Sequence, residues 1–223
     1  MMILGDLVRR WQEGWGVARD LPAGVHGPDS VSVRCDQNGR VVEVFSTRAD
    51  EDPESVPRLA AQVLSATEVT WLTVTTNEPA RAAAAIEASG LEIFDRPEWL
   101  MGIDLAAHPA PELAAGYKAE TEVNGGVATV RIVDSATGEL AASGNIGVNG
   151  TDAIADKIAT EPAHRRRGLG SVVMSELAIA ARELGATTGL LIASADGQRL
   201  YTTLGWTKHA DVLISGVPAT ASS

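Results

Sequence analysis

One stretch of the chain combines residue types that bind anions: Glu161-Pro162-Ala163-His164-Arg165-Arg166-Arg167-Gly168-Leu169-Gly170. A strand running into it and a helix leaving it would expose backbone N–H groups at a helix N-terminus, with glycines allowing a ligand close approach. Three consecutive arginines add charge that pairs with phosphate oxygens. The ligand implied is a pyrophosphate. The plain alternative is a tight strand-to-helix turn beside a solvated charge run, and the glycines alone do not exclude it. No Gly-Lys-Ser/Thr follows, so this is not a Walker loop, and the strands before it are wrong for a dinucleotide-binding βαβ unit.

The elements around the loop can be read from pattern. Strand-like stretches at Tyr117 to Glu122, Val127 to Val133, Glu139 to Val148 and Asp152 to Thr160 alternate with the turn sequences Asn124-Gly125-Gly126, Asp134 to Gly138 and Asn149-Gly150, which predicts an antiparallel meander. After Gly170, Val173, Leu177, Ala180 and Leu184 recur at helical spacing and Gly185 ends the run. A strand at Thr188 to Ala193, a short helix to Leu204, a stop at Gly205, and strands at Trp206 to His209 and Val212 to Ser215 complete the half.

The first half opens with a helix, Gly5 to Ala18, striped by Leu7, Trp11 and Trp15. Val31 to Arg34 and Val41 to Phe45 read as a hairpin around Asn38-Gly39. A helix from Ser55 to Ala66, a strand from Val69 to Thr75, and a helix from Pro79 to Ser89 capped by Asn77 follow. Gly90 stops that helix, and Leu91 to Phe94 with Trp99 to Leu105 form a closing strand pair. Ala106 to Gly116, with two prolines, is the linker, and the tail from Gly216 is expected to be disordered.

The halves share an order: strand, helix, strand, helix, Gly, strands. Ser89-Gly90-Leu91 in the first answers Leu204-Gly205-Trp206 in the second, which points to two related units. Their chemistry differs. Where the second unit has the arginine-glycine loop, the first has Arg48-Ala49-Asp50-Glu51-Asp52-Pro53-Glu54, with four carboxylates and no glycine.

In this setting the sequence resembles the GNAT superfamily of N-acetyltransferases, whose hallmark is Gln/Arg-x-x-Gly-x-Gly/Ala between the fourth strand and third helix. Here it reads Arg165-x-x-Gly168-x-Gly170, and a second family feature, a tyrosine four residues before a Gly-aromatic pair, reads Tyr201-Thr202-Thr203-Leu204-Gly205-Trp206. The resemblance covers about residues 117–215. It implies an α/β fold of the α+β type, a mixed, mostly antiparallel sheet flanked by helices, in two tandem GNAT-like units. Residues 1–105 would be a degenerate unit that walls the acceptor site, 106–116 a linker, 117–215 the catalytic domain and 216–223 the tail.

The family's mechanism, laid on these positions, implies acetyl-CoA as co-substrate. The backbone of Ile158, Ala159 and Thr160 would align the pantetheine arm, and Arg165, Arg166, Arg167, Gly168, Leu169 and Gly170 would hold the pyrophosphate, with Ser171 capping that grip. An acceptor amine would attack the thioester directly, and Tyr201 would protonate the departing thiolate. A phenol of pKa about 10 is a competent donor to a thiolate near 8.5. Its other reading is a packed helix residue whose hydroxyl meets a backbone partner. For the base, Asp152 and Asp156 share a strand face, and each is equally a structural partner; His164 near the loop reads as a bystander. Relatives place one or two helices between their first and second strands, where this chain has only Asn124-Gly125-Gly126. The expectation is that the first half replaces this wall, with the acceptor between the units.

A net charge of −11 excludes a phosphate backbone as partner. No apolar run approaches the roughly 20 residues of a membrane span, and the start of the chain does not read as a signal peptide. The lone Cys35 excludes a disulfide framework, and four histidines show no metal-ligand spacing. A cytoplasmic enzyme acting on a small-molecule or protein amine fits best, with a non-catalytic acyl-CoA sensor or interaction module as the alternative. Apolar surfaces left by two such units could also form a homodimer.

Overall fold

The computed structural model describes residues 3–37 and 39–218. In chain order the elements are α1 (Leu4–Arg19), β1 (Val25–His26), β2 (Ser30–Gln37), β3 (Arg40–Ser46), α2 (Ser55–Leu64), β4 (Thr70–Thr76), α3 (Pro79–Ala88), β5 (Glu92–Ile93) and β6 (Glu98–Asp104). Then come β7 (Tyr117–Asn124), β8 (Val127–Asp134), β9 (Leu140–Asn149), β10 (Asp152–Thr160), α4 (Leu169–Glu183), β11 (Thr188–Ser194), α5 (Ala195–Thr203) and β12 (Thr207–Gly216). The sheets are mixed and mostly antiparallel, flanked by helices, as the patterning implies.

The chain forms two compact units that interleave in sequence. The first contains residues 3–12, 21–100 and 208–218. Its strands run β1-β2-β3-β4-β12, with β5 also on β12. Its core gathers Val44, Leu72 and Val74 from the sheet with Val56, Leu59 and Val63 of α2 and Ile86 of α3. The second unit contains Glu13–Asp20 and Met101–Thr207. There β7, β8, β9 and β10 form the expected antiparallel meander, and β11 adds parallel to β10.

Several expectations are corrected. The division at 106–116 is not where the contacts divide the chain, because residues of α1 fall in both units and the C-terminal strand belongs to the first. The segments 206–209 and 212–215 make one strand, β12, which pairs with β4 and β5. The partner of β5 is therefore β12 and not β6. Gly216, expected in the tail, is the last residue of β12, opposite Trp71 and Glu92; residues 219–223 of that tail lie outside the described residues. Asn77 does not cap α3: the Thr76 hydroxyl accepts from the Glu78 N–H (2.9 Å), and Asp50 takes the Asn77 N–H (2.9 Å).

The Gly-aromatic spacing has a local physical cause. Gly205 (φ +86°) ends α5, its N–H donates to the Thr202 carbonyl (3.1 Å), and the Trp206 N–H reaches back to the Tyr201 carbonyl (3.0 Å). This is a Schellman stop, which brings the residues at either end of the last turn together; the Tyr201 and Trp206 rings lie 6.1 Å apart. In the first unit Gly90 (φ +89°) does the same, with Leu91 N–H on the Ile86 carbonyl (3.3 Å) and both side chains buried. The repeat read from punctuation is thus a repeat of helix stops, with Ile86 standing where Tyr201 stands.

Within the second unit the last turns of α1 lie on the meander. A Cβ on Gly147 would sit 2.5 Å from the Ala18 nitrogen and 2.6 Å from the Gly14 carbonyl oxygen, and the Asn145 amide donates to the Ala18 carbonyl (2.8 Å). Backbone atoms of a helix cannot yield as a flexible side chain can. Gly147→Ala should therefore cost about 1–3 kcal/mol, read by calorimetry as a melting temperature lowered by about 2–4 °C per kcal/mol; an unchanged transition would refute this packing.

Candidate functional site

β10 and β11 are parallel partners only from Asp152 to Ile154, opposite Thr188 to Leu190. Beyond Ile154 the strands separate, and on the other side of β10 the pairing with β9 shifts register between Asp156 and Ala159, where Lys157 takes φ +53°. The far end of β10 is thereby left with its β11-facing edge unpaired. Ile158, Ala159 and Thr160 lie on that edge, at the wall of a cavity of about 700 Å³. Such a volume suits a small-molecule site.

The next wall is the loop. The Gly168 φ of +76° turns the chain into α4, where Ser171 and Val172 donate to the Gly168 carbonyl (3.0 and 3.3 Å). The N-cap side chain is a hydrogen, so no side chain covers the first N–H groups of α4, those of Leu169 and Gly170, and they remain available to an anion. Arg165, Arg166, Gly168, Leu169, Gly170 and Ser171 all line the cavity, and the Arg165 Nε donates to the Thr160 carbonyl (3.3 Å). These residues fit a pyrophosphate: the loop offers open backbone donors and two guanidinium groups, while the cavity's lining carboxylate, Asp196, stands on α5 together with Arg199.

Arg167 is the exception. Its guanidinium turns out of the cavity to the Tyr117 hydroxyl and the Ala163 carbonyl (3.4 Å), and lies 5.9 Å from the centre of the Tyr117 ring. Of the residues expected to hold the pyrophosphate, it is thus the one that does not line the cavity. His164 is likewise engaged, its Nδ1 2.9 Å from the Tyr117 oxygen.

The third wall is α5, whose N-cap Ser194 accepts from the Gly197 N–H (3.3 Å). Gly197 leaves room for the Tyr201 ring, 2.8 Å from where a Cβ would be. Tyr201 reaches the same cavity as the loop, yet is only 8% exposed. Burial, and then the Asp156 carboxylate, push its pKa up to about 12.

Asp156 is itself held. Arg19 grips it side-on, Nε to Oδ2 at 2.6 Å and Nη2 to Oδ1 at 2.8 Å, and stacks 4.9 Å above the Trp15 ring. Of the two strand aspartates only this one reaches Tyr201. Asp152 is buried at the paired start of β10, roughly 20 Å of strand before Ile158 at 3.3 Å per residue.

The corresponding place in the first unit is closed. β3 and β4 stay paired from Val42 to Ser46. Gly5 of α1 packs so tightly on the Thr47 carbonyl that no Cβ would fit, and Arg9 donates to the Thr47 hydroxyl (3.1 Å). Asp50 is bonded to Thr76 and Asn77, and Asp52 to Arg58 (2.6 Å), so two of the four carboxylates are held by neighbouring groups and the connection as a whole repels anions.

Sequence reasoning missed Arg19 and Tyr117. Arg19 lies 137 residues from its partner and Tyr117 lies 50 from Arg167, so no local spacing announces either. Ser194 as an N-cap could have been read from its position before Asp196 and Gly197. Among the described residues no cluster of three or more His, Cys, Asp or Glu is placed to hold a metal ion, and no helix is long and apolar enough to cross a membrane.

Comparison with known proteins agrees with this geometry. The sequence model of the acetyltransferase (GNAT) domain matches residues 119–208. The chain is similar to a GCN5-related N-acetyltransferase from Kribbella flavida, with a TM-score of 0.74 at 19% identity over 100% of this chain and 98% of that one. It is similar also to a GCN5-related N-acetyltransferase from Sphaerobacter thermophilus (TM-score 0.60, 14% identity, 84% and 76% covered). A tandem GNAT protein from the clavulanic acid biosynthesis pathway gives a TM-score of 0.59 at 15% identity, with 84% and 78% covered. No curated protein matches the chain in sequence. Residues 119–208 therefore match a GNAT acetyltransferase domain, which supports an acyltransferase, within a chain that has the fold of GNAT proteins.

Proposed function

We propose that the chain transfers an acetyl group from acetyl-CoA to an amine, by direct attack within a ternary complex. One observation carries this reading: a single cavity joins the open N–H groups of the arginine-glycine loop to the hydroxyl-bearing ring of Tyr201. The loop would hold the pyrophosphate through Arg165, Arg166 and the N–H groups of Leu169 and Gly170. The free edge of β10 at Ile158, Ala159 and Thr160 would hydrogen-bond the pantetheine amides as an added strand would.

In the transfer the amine nitrogen bonds to the thioester carbon, the C–S bond breaks, nitrogen loses a proton to solvent and the thiolate is left. Holding both reactants in register supplies much of the acceleration. Tyr201 is suited to donating a hydrogen bond to that thiolate. Full proton transfer from a phenol near 12 to a thiolate near 8.5 is uphill by about 5 kcal/mol, so the sulfur would gain its proton from water once released.

Calorimetric titration with acetyl-CoA tests the reading. Binding at about one site per chain is expected, lost in the Arg165→Ala/Arg166→Ala double variant; absence of binding by the folded wild-type chain would refute the reading. Tyr201→Phe should keep acetyl-CoA affinity within about twofold while lowering turnover about 10²-fold, and unchanged turnover across an amine screen would remove Tyr201 from the chemistry. The electrostatic link is separately measurable. With Tyr117→Phe leaving Tyr201 as the sole tyrosine, Asp156→Asn should lower its pKa from about 12 by the smaller, carboxylate share of the shift, burial keeping the rest, followed by tyrosinate absorbance; an unmoved titration would show that the carboxylate does not act on the phenol.

A further inference from the structure

We infer that Tyr117 is a positioning residue for the acyl-CoA loop, acting through Arg167, an inference that rests on the acetyl-CoA reading of that loop. Arg167 stands between two residues in the left-handed region, Arg166 (φ +65°) and Gly168 (φ +76°). Glycine adopts that conformation freely, but an arginine does so at a cost of about 1–2 kcal/mol. The loop therefore needs contacts that hold it, and the side chain between the two strained positions is the one that leaves the cavity and finds an anchor.

That anchor is on β7, 50 residues earlier. Arginine can only donate, so the Tyr117 oxygen accepts from Arg167. The same oxygen lies 2.9 Å from His164 Nδ1, so one hydroxyl joins His164 to Arg167. The Tyr117 ring also meets the His164 ring edge-on at 5.7 Å and carries the Arg167 guanidinium. Arg167 Nη2 closes the circuit on the Ala163 carbonyl (3.4 Å). His164 and Arg167 are thus tied to one hydroxyl, and Ala163 to Arg167. The consequence is that the N–H groups of Leu169 and Gly170 are aimed before any anion arrives, which lowers the ordering cost of binding. On this account Arg167 serves acetyl-CoA without touching it.

The test is acetyl-CoA titration of the full chain carrying Tyr117→Phe, Arg167→Met or both. Tyr117→Phe keeps the ring stacking and removes only the two hydrogen bonds. Each single change should raise Kd about three- to tenfold, the double variant should be no weaker than the weaker single one, and the melting temperature should move by no more than about 2 °C. His164→Asn, which retains an acceptor near the Nδ1 position, should bind more tightly than His164→Ala. Unchanged affinity in Tyr117→Phe, or losses that multiply in the double variant as a direct phosphate contact by Arg167 would give, overturns the inference and leaves the acetyl-CoA reading intact. Failure of the wild-type chain to bind would overturn both.

Discussion

β10 and β11 share a ladder for three residues and then part. Two neighbouring parallel strands ordinarily satisfy one another's backbone groups along their length, so their separation leaves an edge of unpaired N–H and C=O groups inside the fold. Every component of the candidate site follows from it. The opening gives α4 a free N-terminus, turns Ile158 to Thr160 into an edge that an amide-bearing ligand can pair with, and admits Tyr201 from α5 on the far side. The irregularity at Asp156 and Lys157 lies where the strand leaves its partner, and Asp156 is fixed there by Arg19. A bidentate arginine sets both the place and the orientation of a carboxylate, as a lysine would not.

The first unit shows what the same plan does without the opening. Its α3 stops at the same kind of glycine, with Ile86 and Leu91 in positions equivalent to Tyr201 and Trp206. Its β3 and β4 remain paired, α1 packs on Thr47, and two of the connecting carboxylates are held by neighbouring groups. The first unit has the glycine stop, which serves folding, and lacks the open donors, which only a ligand requires.

Much of this was legible before any coordinates. The meander, α4 and its glycine stop, and the helix stops at Gly90 and Gly205 follow from turn residues and helical spacing, both local properties. The arginine-glycine loop was legible as an anion cradle because glycine and arginine each have few reasons to occur in that order. What escaped was non-local. The C-terminal strand completing the first unit, the division of α1 between units, the Arg19 grip on Asp156 and the Tyr117 anchor all join residues far apart in sequence. Arg167 belongs with these: its neighbours along the chain suggest phosphate, and its neighbour in space is a phenol.

The proposed function requires one acyl-CoA site per chain, in the opening between β10 and β11. Hydrogen–deuterium exchange with and without acetyl-CoA locates it directly. The account predicts protection of residues 158–171 and 194–201, with residues 47–55 of the first unit unchanged. Protection of residues 47–55, or none in the arginine-glycine loop while acetyl-CoA is bound, would contradict it.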